Sequence, residues 1–126
     1  RVVRLAVSGA FHSPLLADGA SEFTKYLESI EIRPPSIPWI SNRTGKAESS
    51  PKVIANHLAR QLVSPVCWVE TMATLDHLNC DRFLEVGPGR ILAGLARGCG
   101  TRTPCTPVGS PNEIDSIESE GVKRNG

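Results

Sequence analysis

Val7-Ser8-Gly9-Ala10-Phe11-His12-Ser13-Pro14-Leu15-Leu16 is the stretch on which the reading of this chain turns. Before it, Arg1 to Val7 alternates loosely and is rich in valine, the pattern of a β-strand. Ser8 to His12 forms a small-residue turn. Ser13-Pro14 is a helix start, because serine can cap free helical amides and proline is tolerated at the first helical position. Behind it, Leu16, Ala20, Phe23, Leu27 and Ile30 fall on one face of an amphipathic helix. Pro34-Pro35 ends that helix by Arg33. A turn at the end of a strand presents its side chains at the sheet edge, where α/β proteins place their sites.

His12 occupies that turn. A neutral imidazole can act as a general base near pH 7, although the same residue also reads as a surface or capping histidine. A base needs something to activate, such as a serine on a G-x-S-x-G elbow. The chain contains no such elbow. Ser8 and Ser13 lie in an ordinary turn and a cap, and Cys67, Cys80, Cys99 and Cys105 carry no local signature. On chemical grounds these residues are half a site. Gly87-Pro88-Gly89 before a helix resembles a phosphate-binding turn, yet Leu92 holds the third glycine's place and Pro88 removes an amide, so a structural turn is expected. His57 and His77 fall on predicted helices and are expected to face solvent. Trp39 and Trp68 are expected to pack in the core or at an edge.

Outward from this centre, Ile37 to Ser41 reads as a short strand and Asn42 to Ser50 as a polar loop. Ser50-Pro51 starts a second helix marked by Ile54, Leu58 and Leu62. Ser64-Pro65 starts a third, with Val66, Val69, Met72 and Leu75 on one face and Asn79 at its end. Arg82 to Val86 is apolar and β-prone, a buried strand. Arg90 to Arg97 is a short helix carrying Ile91, Leu92 and Leu95. Thr101 to Gly126 is poor in large apolar residues and is expected to be disordered. The alternation favours an α/β layered architecture with a partly parallel sheet. About three strands are fewer than a usual sheet, which points to a larger domain lacking its front half.

The 126 residues amount to about one domain, 40% apolar and 21% charged. Fourteen Lys+Arg against thirteen Asp+Glu leave a net charge of +1, which argues against a nucleic-acid partner. No apolar run reaches the length of a membrane span. Arg1 in place of Met suggests that the chain begins inside a longer protein. No Cys or His spacing fits a metal site, and the four cysteines read as free thiols in a reducing compartment, which makes the cytoplasm the expected location.

The opening stretch closely resembles the histidine motif of malonyl-CoA:acyl-carrier-protein transacylases and related polyketide acyltransferase domains. Three further segments fit in order: Pro38-Trp39-Ile40-Ser41-Asn42, Arg60-Gln61-Leu62-Val63-Ser64-Pro65-Val66-Cys67-Trp68, and Glu85-Val86-Gly87-Pro88-Gly89-Arg90-Ile91-Leu92-Ala93-Gly94-Leu95. The likeness spans roughly Arg1 to Arg97. It implies the C-terminal part of an α/β-hydrolase-like large subdomain over residues 8–97. Residues 1–7 would be the last strand of a ferredoxin-like small subdomain, while residues 98–126 match nothing in the family and are, from their composition, the expected disordered tail. It implies ping-pong malonyl transfer from malonyl-CoA to the phosphopantetheine thiol of acyl carrier protein, as part of fatty-acid or polyketide synthesis and without a cofactor. His12 would be the catalytic base and Phe11 the side chain crowding the acyl α-carbon, which favours malonyl over methylmalonyl. The main-chain carbonyl of Gln61 would orient the histidine, so that Gln61→Ala is mild. The serine elbow, the arginine for the malonyl carboxylate and the oxyanion-hole donors belong to an N-terminal acyltransferase segment that these residues do not include. The chain alone is therefore expected to be inactive. A non-catalytic module that binds carrier protein or a partner subunit is the alternative.

Overall fold

A computed structural model describes Val2 and residues 7–122. The strand expected over Arg1–Val7 lies outside the described residues. The chain divides into two compact units, residues 1–74 and 75–126.

In the first unit, Ser13 caps a 3-10 turn, Pro14–Leu16, which runs directly into α1 (Ala17–Glu28). Ala20 and Leu27 are its buried residues, with Leu16 and Phe23 half-buried beside them, so the helix turns inward most of the face its spacing predicts, but it ends at Glu28 and leaves Ile30 exposed beyond it. Burying each large aliphatic side chain stabilises by about 1.5–3 kcal/mol. α1 packs on α2 (Pro51–Gln61), whose Ile54 is buried. His57 is buried as well, only 9% exposed and with Nδ1 unpartnered, against the expectation that it faces solvent. It stands three residues after Ile54, on the helical face that the packing turns inward.

β1 (Trp39–Ile40) pairs antiparallel with β2 (Ala47–Glu48), which the polarity of Asn42–Ser50 concealed. The hairpin between them is fastened to the chain before α3 (Trp68–His77). The Cys67 amide donates to the Asn42 carbonyl at 2.7 Å, and the Cys67 thiol donates to the Arg43 carbonyl at 3.1 Å. That use of the Cys67 amide keeps residues 65–67 out of the helix, so α3 starts at Trp68 and not at Ser64-Pro65. Met72 and Thr71 are buried on α3, whereas Val69 is exposed.

The second unit contains β3 (Phe83–Val86), α4 (Ile91–Gly98), β4 (Cys105–Val108) and α5 (Pro111–Val122). β3 and β4 pair in parallel with Phe83 opposite Cys105 and Val86 opposite Val108. The strand and helix of residues 105–122 correct the expectation of a disordered tail. Val108 is buried against the sheet's own unit, and Glu113 secures the start of α5 by accepting from the Gly109 amide and the Ser110 hydroxyl at 2.9 Å each. The expectation of a buried β3 is also corrected. Glu85 is its buried residue, while Leu84 and Val86 are exposed. Ile91, Leu92 and Leu95 on α4 are exposed too, and Ala93 and Ala96 are buried in their place.

Candidate active site

The turn at Phe11–His12 is tight, and His12 adopts φ 62°, the left-handed region that costs a side-chain-bearing residue about 1–2 kcal/mol. In this conformation its ring reaches residue 61 at the end of α2. Nδ1 lies 3.0 Å from the Gln61 main-chain oxygen. A carbonyl has no proton to give, so Nδ1 carries the hydrogen and donates it. The tautomer is thereby fixed. In the neutral ring Nε2 therefore holds the lone pair, and nothing among the described residues bonds to it. The ring is exposed and can be approached. The same carbonyl also accepts the Ser64 amide at 3.2 Å, so both of its lone pairs are engaged.

Of the residues singled out from the sequence, the structure brings His12 and Gln61 together across 49 positions and sets Phe11 beside them in the chain. Phe11 is 59% exposed, and a Cβ at Gly9 would lie 3.3 Å from its ring. Glycine there leaves the ring its place. The Gln61 side chain is less idle than expected. Its amide stands 3.4 Å from the Ser64 and Pro65 carbonyls, bracing the turn whose main chain holds His12. It also lies 3.4 Å from His12 Nδ1, a neighbour and not a donor once Nδ1 holds its own proton.

In the second unit, Gly87-Pro88-Gly89 does precede a helix, α4, but two amides of that helix's first turn are taken. Both Glu85 carboxylate oxygens accept at 2.9 Å, one from the Leu92 amide and the other from the Ala93 amide. A built-in anion thus occupies the α4 N-terminus and makes the turn structural. This role of Glu85 had one sequence signal, a lone carboxylate in an apolar strand just ahead of a helix start. The cysteines are all free. Burial, then the neighbouring Glu85 charge, push the Cys105 thiol up, so it is a protonated thiol and a poor nucleophile. Among the described residues, no group of three or more His, Cys, Asp or Glu could hold a metal ion, and no helix is long and apolar enough to cross a membrane.

No family model matches the chain. A malonyl CoA-acyl carrier protein transacylase of Staphylococcus aureus is 36% identical over 114 residues, covering 90% of this chain and 37% of the relative. The crystal structure of the Synechocystis sp. PCC 6803 malonyl-CoA:ACP transacylase superposes with a TM-score of 0.83 at 29% identity, covering 92% of this chain and 40% of that one. A malonyl-transacylase solved in complex with its type II polyketide acyl carrier protein gives a TM-score of 0.80 at 34% identity, over 91% of this chain and 38% of that one. The chain spans little more than a third of the length of these relatives. In sequence and in its mixed α/β fold, over the span they share, the chain is similar to malonyl-CoA:acyl-carrier-protein transacylases.

Proposed function

We propose that this chain is the C-terminal part of a malonyl-CoA:acyl-carrier-protein transacylase and supplies its general base, His12. The observation that carries the reading is the bond from His12 Nδ1 to the Gln61 carbonyl, which places the proton of the neutral ring on Nδ1 and leaves Nε2 exposed as the basic nitrogen. Nε2 takes the proton of a serine hydroxyl, borne by a segment outside these residues, as the oxygen attacks the malonyl thioester. The imidazolium returns that proton to the departing CoA sulfur. Nε2 then takes the proton of the phosphopantetheine thiol, whose sulfur attacks the malonyl ester, and the proton passes back to the serine oxygen. Through both half-reactions the Gln61 carbonyl accepts from Nδ1 and steadies the positive ring. No cofactor enters this sequence. Phe11, next to the base, restricts the acyl α-carbon and sets the preference for malonyl. The four unpaired thiols support a reducing compartment, the cytoplasm.

The test is complementation. The 126 residues are assayed for malonyl transfer from malonyl-CoA to holo acyl carrier protein, alone and mixed with the serine-bearing N-terminal segment of the Staphylococcus aureus relative. Transfer is expected only in the mixture, and His12→Ala is expected to lower it by about 10²–10⁴-fold. Transfer undiminished by His12→Ala would sink the proposal. So would a mixture that co-elutes as a complex yet transfers nothing. Carrier protein bound without transfer would make the chain a binding module.

A further inference from the structure

The left-handed backbone at His12 needs a restraint. Residues 11 and 12 form the middle of a turn from Ala10 to Ser13 whose main-chain closure is weak, outside good hydrogen-bond geometry. A side chain reinforces it. The Ser13 hydroxyl donates to the Ala10 carbonyl at 2.7 Å, spanning Phe11 and His12. Its oxygen also accepts the Leu15 amide at 3.3 Å, the N-cap bond of the following 3-10 turn. With its proton spent on one side and a lone pair on the other, the hydroxyl has one orientation and ties the turn to the helix start. The Leu16 amide, donating to the Ser13 carbonyl at 3.2 Å, fixes Ser13 itself.

We propose that Ser13 is a positioning residue for His12: its hydroxyl bridge to Ala10 holds the left-handed turn that delivers the His12 ring to the Gln61 carbonyl. The inference rests on the reading of His12 as the general base for its functional meaning, but not for its geometry. Without the bridge, residue 12 relaxes toward an ordinary backbone conformation. The ring leaves Gln61, and the neutral imidazole reverts to the solution preference for a proton on Nε2, the atom that must be bare to act as a base.

The experiment reads the ring directly. Nitrogen-15 NMR of the 126-residue chain reports the tautomer of His12, with His57 and His77 as internal references for intact folding. The wild-type chain is expected to hold its His12 proton mainly on Nδ1. Ser13→Ala should turn that majority into a minority, and Ser13→Thr, which keeps a hydroxyl, should restore it. Ser13→Gly separates the two bonds of the hydroxyl, since glycine is nearly as good a helix cap as serine but has no proton to donate. Gly behaving like Ala supports the bridge, whereas Gly or Ala retaining the Nδ1 proton overturns it. If Ser13→Ala fails to fold, the Thr and Gly variants decide. In the complemented enzyme, Ser13→Ala should lower kcat by up to about 10²-fold with KM little changed, the signature of a misplaced base. An unchanged kcat alongside a shifted tautomer would refute the catalytic role of His12 and leave the positioning role of Ser13 standing.

Discussion

A Cβ placed on residue 45 would collide with the Glu70 side chain and lie 2.7 Å from the Glu70 carbonyl carbon and 2.8 Å from the Thr71 nitrogen. Gly45 also has φ +66°, its amide donates to the Ser41 carbonyl at 2.7 Å, and its own carbonyl accepts the Thr74 hydroxyl. The β1–β2 hairpin is therefore seated on α3 at the one residue type that fits both the backbone and the space. Gly45→Ala is expected to destabilise by about 2–5 kcal/mol, combining left-handed strain with overpacking. Urea unfolding followed by tryptophan fluorescence measures it, and a loss below about 0.5 kcal/mol would show that the hairpin is not so held. Phe11 offers a functional prediction at the same scale. In the complemented enzyme, Phe11→Ser should erode discrimination against methylmalonyl-CoA by about 1–3 kcal/mol, the worth of one methyl in a fitted pocket. Competing-substrate kinetics reads it, and an unchanged ratio would remove Phe11 from the acyl site. At the residue scale the resemblance pointed to His12 and Phe11 through the histidine motif and to Gln61 through the separate segment Arg60–Trp68. The φ of His12 and the Ser13 bridge were hidden, because a left-handed turn at a non-glycine residue has no local code.

Three of the six helical elements among the described residues begin at serine-proline pairs. Ser13-Pro14 opens the 3-10 turn, Ser50-Pro51 opens α2, and Ser110-Pro111 opens α5, but Ser64-Pro65 opens nothing. Proline presets the backbone for a first helical turn, yet Asn42 claims the Cys67 amide and residues 65–67 stay outside the helix. α5 was legible in principle from Ser110-Pro111-Asn112-Glu113, a serine followed three residues later by glutamate. The low apolar content around it outweighed that signal. The Glu113 carboxyl is held below the ordinary range, first by the Gly109 amide and then by the Ser110 hydroxyl, with exposed Arg90 a distant 3.9 Å away. A carboxyl lowered on folding contributes stability that is complete above its unfolded value and lost as pH falls through its folded value. Acidification should therefore loosen the start of α5, with the Gly109 amide losing its hydrogen-exchange protection. Glu113→Gln should make that protection insensitive to pH across the same range. A Gly109 amide whose protection ignores pH in the wild-type chain would refute the cap.

Parallel strands ordinarily have both faces covered, because their crossovers place helices there. Among the described residues the β3–β4 sheet has two strands, with Val86 82% exposed and Ile91 on α4 75% exposed, and Leu84, Leu92 and Leu95 also open. An apolar set of this kind is an interaction surface or a site of aggregation. The isolated chain should self-associate as its concentration rises and bind an apolar dye. Val86→Lys with Ile91→Lys should suppress both without lowering Tm. Sedimentation and dye titration check this, and a chain that stays monomeric and dye-free at high concentration would contradict it.

By itself the sequence determined the local grammar: the amphipathic face of α1, the serine-proline starts, the glycine turns, and a family motif long enough to name its histidine. Those features depend on residues within a few positions of one another, where propensity and periodicity act. The rest was decided only in three dimensions. His57 is buried although it is polar, Leu84 and Val86 are open although they are apolar, and residues 105–108 become a strand because β3 lies alongside to receive their hydrogen bonds. Above all, a carbonyl 49 residues away chooses which nitrogen of His12 bears the proton. No local pattern encodes that choice, because the two groups meet only when the fold carries the end of α2 back to the turn.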